Sequence, residues 1–279
     1  MKGIAFGQYY PADSIMHRLD PRIKIIIGIL YIVCSFLCKN PISFALLLIS
    51  AFLLIIVSKI PVKIVLKSIK AIIFIMLFTA VLNVFWTKGE ADELLFSWRF
   101  INIYISGIYN AVFIVVRIVS MIIGTGIFLT YTTTPIQLTD GLEQLLSPLK
   151  VLHIPVHEFA MMMTIALRFI PTIIEETEKI MAAQKARGAD FSNGSIVKRA
   201  KALIPVLIPL FISAFRRAGE LATAMTCRCY RGGEGRTRLN VLKFAFRDFA
   251  ALLVMIIFGV GVVLINMYVS FDSIWWCSL

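Results

Sequence analysis

Long apolar runs constrain the fold of this chain more than any other feature. An α-helix needs about 20 residues to cross a hydrocarbon core about 30 Å thick, and several of these runs are close to that length. Hydrophobic residues make up 59% of the chain and charged residues only 16%, far from the usual composition of a soluble domain. We therefore predict an all-α integral membrane protein with spans at Ile23–Leu37, Ile42–Val57, Ile69–Trp86, Ile101–Tyr131 and Phe249–Val269.

Two of these runs carry further local signals. Asp20 and Pro21 precede the first run, and they are an N-cap residue and a proline suited to the first helical position. The fourth run is too long for one perpendicular span, so the sequence predicts a tilted helix, a broken helix or a continuation into the cytoplasm. Arg117 lies inside this run, either as a snorkelling side chain or as a contact with a partner membrane subunit. The region Met1–Pro21 lacks an apolar core, so no cleavable signal peptide is expected there.

The distribution of charged residues predicts the orientation in the membrane. The connection after the second run holds Lys59, Lys63, Lys67 and Lys70 without an acidic residue, so it should be cytoplasmic. The connection after the third run holds Glu90, Asp92 and Glu93 against two cations, which suits the outside. We therefore predict a multi-pass cell-membrane protein with its N-terminus inside and its C-terminus outside. The regions are a transmembrane part at 1–131, a cytoplasmic part at 132–247 and a C-terminal transmembrane helix at 248–279.

The predicted cytoplasmic part contains two long amphipathic segments, His157–Arg187 and Ile204–Tyr230. In the first segment, apolar residues that include Met162, Met163 and Phe169 recur at helical spacing, while Glu175, Glu176, Glu178, Lys179 and Lys185 fill the other face. The methionines indicate either ordinary helix packing or an adaptable surface for a moving partner. Either protein or the membrane interface must cover this apolar face.

An arginine lies at the end of the first amphipathic segment and two residues before the end of the second, and each precedes a glycine or lies near one. Arg187 stands between Ala186 and Gly188, and Arg228 stands between Cys227 and Cys229. A cation in the last helical turn is favoured by about 0.3–1 kcal/mol through the helix dipole alone. A planar guanidinium can also bind a carboxylate with two parallel hydrogen bonds, so two exposed arginines suggest two acidic binding sites.

Three motifs together resemble one known family. They are Y-Y-P-A-D-S-I-M-H-R-L-D-P-R-I-K, L-R-F-I-P-T-I-I-E-E-T-E-K-I-M-A-A-Q-K-A-R-G-A-D-F and A-M-T-C-R-C-Y-R-G-G-E-G-R-T-R, and together they extend over nearly the whole chain. The chain is similar to the transmembrane coupling subunit of energy-coupling factor transporters, the EcfT family. The cysteines beside Arg228 depart from the more usual Ala-Arg-Gly form of the second motif.

The resemblance implies a non-catalytic coupling subunit for uptake of vitamins or transition-metal ions. It implies that Ala186-Arg187-Gly188 and Cys227-Arg228-Cys229 dock into two ATPase subunits, which bind ATP and magnesium while this chain has no cofactor. A substrate-binding membrane subunit is the third expected partner beside the lipid bilayer. We place Met162, Met163, Phe169 and Arg117 at the contact with that subunit.

The sequence lacks the features of several other function classes. A membrane-embedded enzyme would need clustered His, Asp or Glu side chains, and a self-sufficient secondary transporter more often shows repeated halves and broken spans. The stretch Gly232–Thr237 lacks the spacing and the lysine of a phosphate-binding loop. The five cysteines show no paired C-x-x-C spacing, so no metal site is expected. The chain has a formal net charge of +12, but no nucleic-acid-binding motif accompanies it, so no nucleic-acid partner is expected.

Overall fold

The computed structural model describes residues 9–86, 94–98, 101–152, 155–191, 195–232, 242 and 244–268. Helices dominate these ranges. In chain order the elements are α1 (Pro21–Leu37), α2 (Pro41–Ser58), α3 (Val62–Trp86), β1 (Leu94–Trp98), β2 (Ile101–Tyr104), α4 (Ile105–Thr125), a π-helical turn (Gly126–Tyr131), α5 (Pro135–Leu145), a 3-10 helix (Ser147–Leu152), α6 (Val156–Ala186), α7 (Ile196–Cys227) and α8 (Phe246–Tyr268). The prediction of an all-α integral membrane protein is confirmed, with one short antiparallel hairpin, β1 and β2, in addition.

The described residues form two compact units. The first unit, which we call the bundle, lies within Gly7–Leu142 and Leu242–Leu279 and contains α1 to α4 and α8. The second, which we call the two-helix unit, lies within Glu143–Val241 and contains α6 and α7. Which residues lie in the cytoplasm stays a prediction, as do the boundaries at 131 and 247.

The start of α1 agrees with the sequence. Asp20 is the N-cap, and its carboxylate accepts a hydrogen bond from the backbone N–H of Arg22 at 2.9 Å. Pro21 occupies the first turn, where its missing N–H leaves no helical hydrogen bond unmade. These two residues therefore fix where the first predicted span begins.

The bundle core is built from apolar side chains of α1, α2, α4 and α8. Its fully or nearly buried members include Ile27, Tyr31, Leu47, Phe128 and Val262. The ring of Tyr31 packs so closely on α4 that a Cβ added to Gly124 would lie 2.2 Å from a ring carbon. A glycine is required at this position because any side chain would push α1 and α4 apart.

The bundle also buries a charged cluster that the sequence analysis did not predict. Lys24 is 2% exposed and donates a hydrogen bond to the carbonyl of Thr132 at 2.8 Å. Asp248, also 2% exposed, accepts hydrogen bonds from the backbone N–H groups of Asp20 at 2.8 Å and Ala245 at 2.7 Å. Because buried charges need partners, this cluster ties the start of α8 to the start of α1.

Several predicted boundaries were wrong. Helix α3 begins at Val62, seven residues before the predicted Ile69, so Lys63 and Lys67 are helical rather than part of a loop. The predicted start of the fourth span, Ile101, lies in β2, and α4 begins at Ile105. From Ile105 to Tyr131 the run is helical throughout, because the last turn widens to a π-helix instead of breaking. Glu90, Asp92 and Glu93 lie outside the described residues.

Six helices among the described residues have the length and composition of membrane spans: α2, α3, α4 with its π-helical turn, α6, α7 and α8. Helices α6 and α7 have the lowest mean hydropathies of the six, 1.2 and 1.5, against 2.2 to 2.7 for the other four. Helix α1 has 17 residues, one fewer than α2, the shortest of these six helices. Multi-pass membrane insertion is therefore supported, while the number of crossings and the orientation of the termini stay predictions.

The two-helix unit consists mainly of α6 and α7, which have 31 and 32 residues. Helix α7 begins at Ile196, eight residues before the predicted Ile204. Pro205 and Pro209 lie inside it, as they do in the predicted segment. The missed first turns contain Lys198, Arg199 and Lys201, which interrupt the apolar pattern before Ile204. Ser195 caps the start of α7, since its hydroxyl accepts a hydrogen bond from the N–H of Lys198 at 3.4 Å.

Candidate functional site

The end of α6 places Arg187 at the C-cap position. The next residue, Gly188, has a φ of +88°, and its N–H donates to the carbonyl of Lys185 at 3.0 Å. The N–H of Ala189 donates to the carbonyl of Gln184 at 3.0 Å. This pair of hydrogen bonds is the Schellman motif, which ends a helix by satisfying carbonyls that otherwise lack partners.

The end of α7 repeats this geometry at Arg228. Cys229 has a φ of +55°, and its N–H donates to the carbonyl of Thr226 at 2.9 Å. The N–H of Tyr230 donates to the carbonyl of Met225 at 3.0 Å. The left-handed residue here is a cysteine, although glycine adopts this conformation with less strain. Two different sequences thus produce the same helix end, with arginine at the same position.

Both arginine motifs are open to solvent. Ala186, Arg187 and Gly188 are exposed, and so are Cys227, Arg228 and Cys229. Neither Arg187 nor Arg228 forms an ion pair with another described residue. Each guanidinium can therefore bind an external carboxylate, and the small flanking residues leave room for a groove to close around it.

An ion pair joins α6 to α7. Arg217 of α7 donates to Glu176 of α6 at 2.6 Å, and Ser213 donates to the other oxygen of the same carboxylate at 2.5 Å. Glu176 was predicted on the polar, solvent-facing side of α6, which was wrong, because its side chain is only 25% exposed and contacts α7. The sequence contains no periodic signal that links Glu176 to Arg217.

The ion pair also relates the two arginine motifs to each other. Arg187 lies eleven positions after Glu176, and Arg228 lies eleven positions after Arg217. Eleven helical residues rise about 16 Å and turn about 20° beyond three full turns. Each arginine therefore lies about three turns beyond the ion pair, on nearly the same face of its own helix.

The predicted contact residues on α6 fall into two environments. Met162 and Met163 are 57% and 42% exposed on the helix surface. Phe169 is half-buried and lines an apolar groove of about 510 Å³ between α6 and α7. The structure thus leaves the two methionines available to a partner, whereas Phe169 packs beside α7.

Arg117 has partners within the chain. Its guanidinium donates to the carbonyl of Cys38 at 3.0 Å, at the end of α1. The same group lies 5.3 Å from the ring centroid of Phe44 and 5.9 Å from that of Phe36. A cation at a helix C-terminus is favourable, and aromatic faces stabilise it further. Arg117 therefore joins α4 to the end of α1, and its predicted contact with another subunit stays a prediction.

Comparison with known proteins identifies the family. Residues 12–239 match the family described as cobalt transport protein (CbiQ). A protein of Clostridium kluyveri named energy-coupling factor transporter transmembrane protein EcfT is 49% identical over 277 residues, which are 99% of each chain. Proteins of the same name in Ruminiclostridium cellulolyticum and Bacillus subtilis are 49% and 45% identical, over 97% and 92% of this chain and 100% and 96% of their own lengths. The chain belongs to the EcfT family.

Membership of the EcfT family confirms the resemblance inferred from the three sequence motifs. The third motif can be located only in part, because residues 233–241 lie outside the described ranges. No group of three or more His, Cys, Asp or Glu side chains that could hold a metal ion occurs among the described residues. The candidate site within the described residues is the pair of arginine-capped helix ends, and the ion pair between α6 and α7 lies about three turns before each of them.

Proposed function

We propose that this EcfT-family chain is the coupling subunit of an ATP-driven importer and that Arg187 and Arg228 each dock into one of two ATPase subunits. The observation that carries this proposal is the repeated geometry of the two helix ends. A helix cap alone requires only a cation near the last turn. It does not explain why two unrelated sequences place an exposed arginine at the same position of the same motif.

The pairing of the helices supports transmission of motion. Glu176, Ser213 and Arg217 connect α6 to α7 about three turns before the two arginines. When two ATPase subunits approach or separate, the helix ends attached to them move, and the ion pair passes this movement from one helix to the other. The two arginines thereby act as a pair rather than as separate contacts.

The exposed apolar surface of α6 and α7 supports a second kind of partner. Met162, Met163 and Phe211 are 57%, 42% and 64% exposed, and neighbouring apolar residues extend this surface. Such a surface requires cover from protein or lipid. We assign it to the substrate-binding membrane subunit, with Phe169 beside α7 and Arg117 in the bundle as further predicted contacts.

In this proposal the chain performs no catalysis. ATP and magnesium bind to the two ATPase subunits, and the identity of the cargo, a vitamin or a transition-metal ion, resides in the substrate-binding subunit. The complex acts in the cell membrane, with the arginine-capped helix ends on the cytoplasmic side. A membrane-embedded enzyme or a self-sufficient transporter would instead be active as an isolated chain.

Co-purification of the ATPases with this chain, combined with uptake of cargo, tests the proposal. We expect Arg187→Lys and Arg228→Lys to weaken both, because lysine keeps the charge but loses the planar fork. Each alanine variant should weaken uptake further, and the double alanine variant should lose the ATPases, since removing one member of a partly buried pair costs about 3–5 kcal/mol.

Two exposed cations close to the motifs provide matched controls. Lys185→Ala and Arg231→Ala remove the same charge within three residues of Arg187 and Arg228. Both controls should retain the ATPases and uptake. Full association and uptake by the double variant Arg187→Ala, Arg228→Ala would return both arginines to the role of simple helix caps.

A further inference from the structure

A groove on the bundle has the composition of a lipid site. Its volume is about 500 Å³, and it runs between the segment before α1 and helices α1, α2 and α8. Apolar side chains line nearly all of it, among them Leu19, Leu53, Leu54, Val254 and Phe258. Several of these side chains remain largely exposed, with Leu53 at 53% and Val254 at 65%, so this chain alone does not fill the groove.

The length of the groove matches one leaflet of a bilayer. Along α8 it extends from Arg247 to Phe258, eleven residues or about 16 Å. Along α1 it ends at Tyr31, ten residues after Pro21 or about 15 Å into the helix. Half of a hydrocarbon core about 30 Å thick is about 15 Å, so an acyl chain of one leaflet fits this length.

Three packed aromatic rings, those of Tyr31, Phe128 and Phe258, close the inner end of the groove. Tyr31 is 1% exposed, and its ring stacks on Phe258 with the ring centroids 6.2 Å apart. Phe128 meets the same ring edge-on, also at 6.2 Å. The hydroxyl of Tyr31 is hydrogen-bonded to that of Ser50 at 3.3 Å, so no unpaired tyrosine hydroxyl faces the groove.

The outer end of the groove opens into a cationic mouth. A second cavity of about 440 Å³ shares Ile15, Val57 and Arg247 with the groove, so the two lie side by side. Arg18 and Lys59 also line this mouth, together with one carboxylate, Asp13. Asp13 pairs with Arg18 at 3.6 Å, but the side chains are 92% and 60% exposed, so this pair neutralises little of the positive charge.

Lys59 adds a conformational observation at the mouth. It caps the end of α2 with a φ of +54°, a left-handed conformation that glycine or asparagine adopts with less strain. Lysine at this position therefore costs stability, which is expected where the side chain has a function. Lys59 also belongs to the connection for which its lysines predict the cytoplasmic side.

We propose that this groove binds one anionic phospholipid of the inner leaflet, with an acyl chain along α1 and α8 and the phosphate among Arg18, Lys59 and Arg247. The positive charge at the mouth favours an anionic lipid, because three cations and only one exposed carboxylate surround it. Anionic lipids are concentrated in the cytoplasmic leaflet. The assignment requires membrane insertion but not ATPase docking, so it stands apart from the proposed coupling function.

Retention of lipid by the full-length chain provides the test. The chain is reconstituted in nanodiscs of equimolar phosphatidylglycerol and phosphatidylcholine, released, and analysed by native mass spectrometry. We expect the chain to retain one phosphatidylglycerol with a preference of about tenfold over phosphatidylcholine, from three cations near one headgroup. The triple variant Arg18→Gln, Lys59→Gln, Arg247→Gln should lose this preference.

The matched control removes the same charge from the same predicted membrane side. Lys63, Lys67 and Lys70 on α3 are exposed and line neither the groove nor its mouth, so their triple glutamine variant should keep the preference. An unchanged preference in the first triple variant, or an equal loss in this control, would show general surface attraction and overturn the site.

An apolar variant decides the matter if the triple variant does not fold. Val254→Trp fills the groove from an exposed position and should reduce retention about tenfold, whereas Ile257→Trp, at a 61% exposed position outside the groove, should not. Equal retention by both tryptophan variants would overturn the site. In the assembled transporter a photo-crosslinker at Leu53 should form adducts with lipid. Adducts with another protein subunit would show that this subunit occupies the groove, and would overturn the lipid site.

Discussion

Glu176 of α6 and Arg217 of α7 form an ion pair of 2.6 Å, and each lies eleven residues before the arginine that ends its own helix. The pair is half-buried and shares its carboxylate with the hydroxyl of Ser213. Both helices therefore extend by the same length from this polar contact to their terminal arginines. The contact between Glu176 and Arg217, which are 41 positions apart in the sequence, thus fixes the position of one helix end relative to the other.

The first prediction concerns this ion pair. Glu176→Gln and Arg217→Met should each lower stability by about 1 kcal/mol and reduce cargo uptake per ATP hydrolysed, because the helices lose their charged connection. The exchange Glu176→Arg, Arg217→Glu should restore part of the coupling. The measurement is uptake together with ATPase activity in liposomes, with exposed Glu178→Gln as the control for loss of a carboxylate. Normal coupling in both single variants would exclude the pair from transmission.

The second prediction concerns the left-handed residues after the two arginines. Cys229→Gly should stabilise the end of α7 by about 0.5–1 kcal/mol, because glycine adopts a φ of +55° with less strain. Gly188→Cys should destabilise the end of α6 by about 1 kcal/mol for the converse reason. Hydrogen exchange at the N–H groups of Tyr230 and Ala189 measures this, since both close the Schellman motifs.

A change of about 1 kcal/mol corresponds to about fivefold in the exchange rate if local opening controls exchange. Tyr230 should become slower in Cys229→Gly, and Ala189 should become faster in Gly188→Cys. Cys227→Gly is the matched control, because Cys227 is helical and glycine there should destabilise instead. The same direction of change in both glycine variants would show that φ at Cys229 is not the cause.

The third prediction concerns the exposed methionines of α6. Met162→Asp should weaken association with the substrate-binding subunit and leave ATPase docking largely intact, because a carboxylate buried in an apolar contact is costly. Met162→Leu keeps the volume and apolar character and should retain the subunit. Co-purification of all subunits in detergent distinguishes the two variants. If Met162→Asp holds the substrate-binding subunit as well as Met162→Leu does, the contact lies elsewhere.

The fourth prediction concerns orientation. In a background without native cysteines, Lys63→Cys should react with a membrane-impermeant thiol reagent only from the cytoplasm, since lysine-rich connections stay inside. Asp92→Cys, in the acidic connection, should react only from outside. The cysteine-free chain serves as the control for background labelling. The reverse pattern would move the arginine-capped helix ends to the outside and contradict ATPase docking.

The sequence by itself determined the membrane class, most of the helices and the two arginine motifs. These features are local, because length and apolar content predict a span, and a cap residue or a glycine marks a helix end. Asp20 with Pro21 and Arg187 with Gly188 are recognisable without any long-range contact. The predicted helix starts were wrong at Val62 and Ile196, where cations interrupt the apolar pattern, and at Ile105, which a short strand precedes.

Only the tertiary structure decided which polar groups pair inside an apolar protein. Glu176 with Arg217, Arg117 with the Cys38 carbonyl, and Asp248 with the N–H of Asp20 each join residues between 41 and 228 positions apart. Periodicity reports which face of one helix is apolar, but it contains nothing about the register of that helix against another. Burial makes an unpaired charge costly, so packing selects these partners once the helices meet.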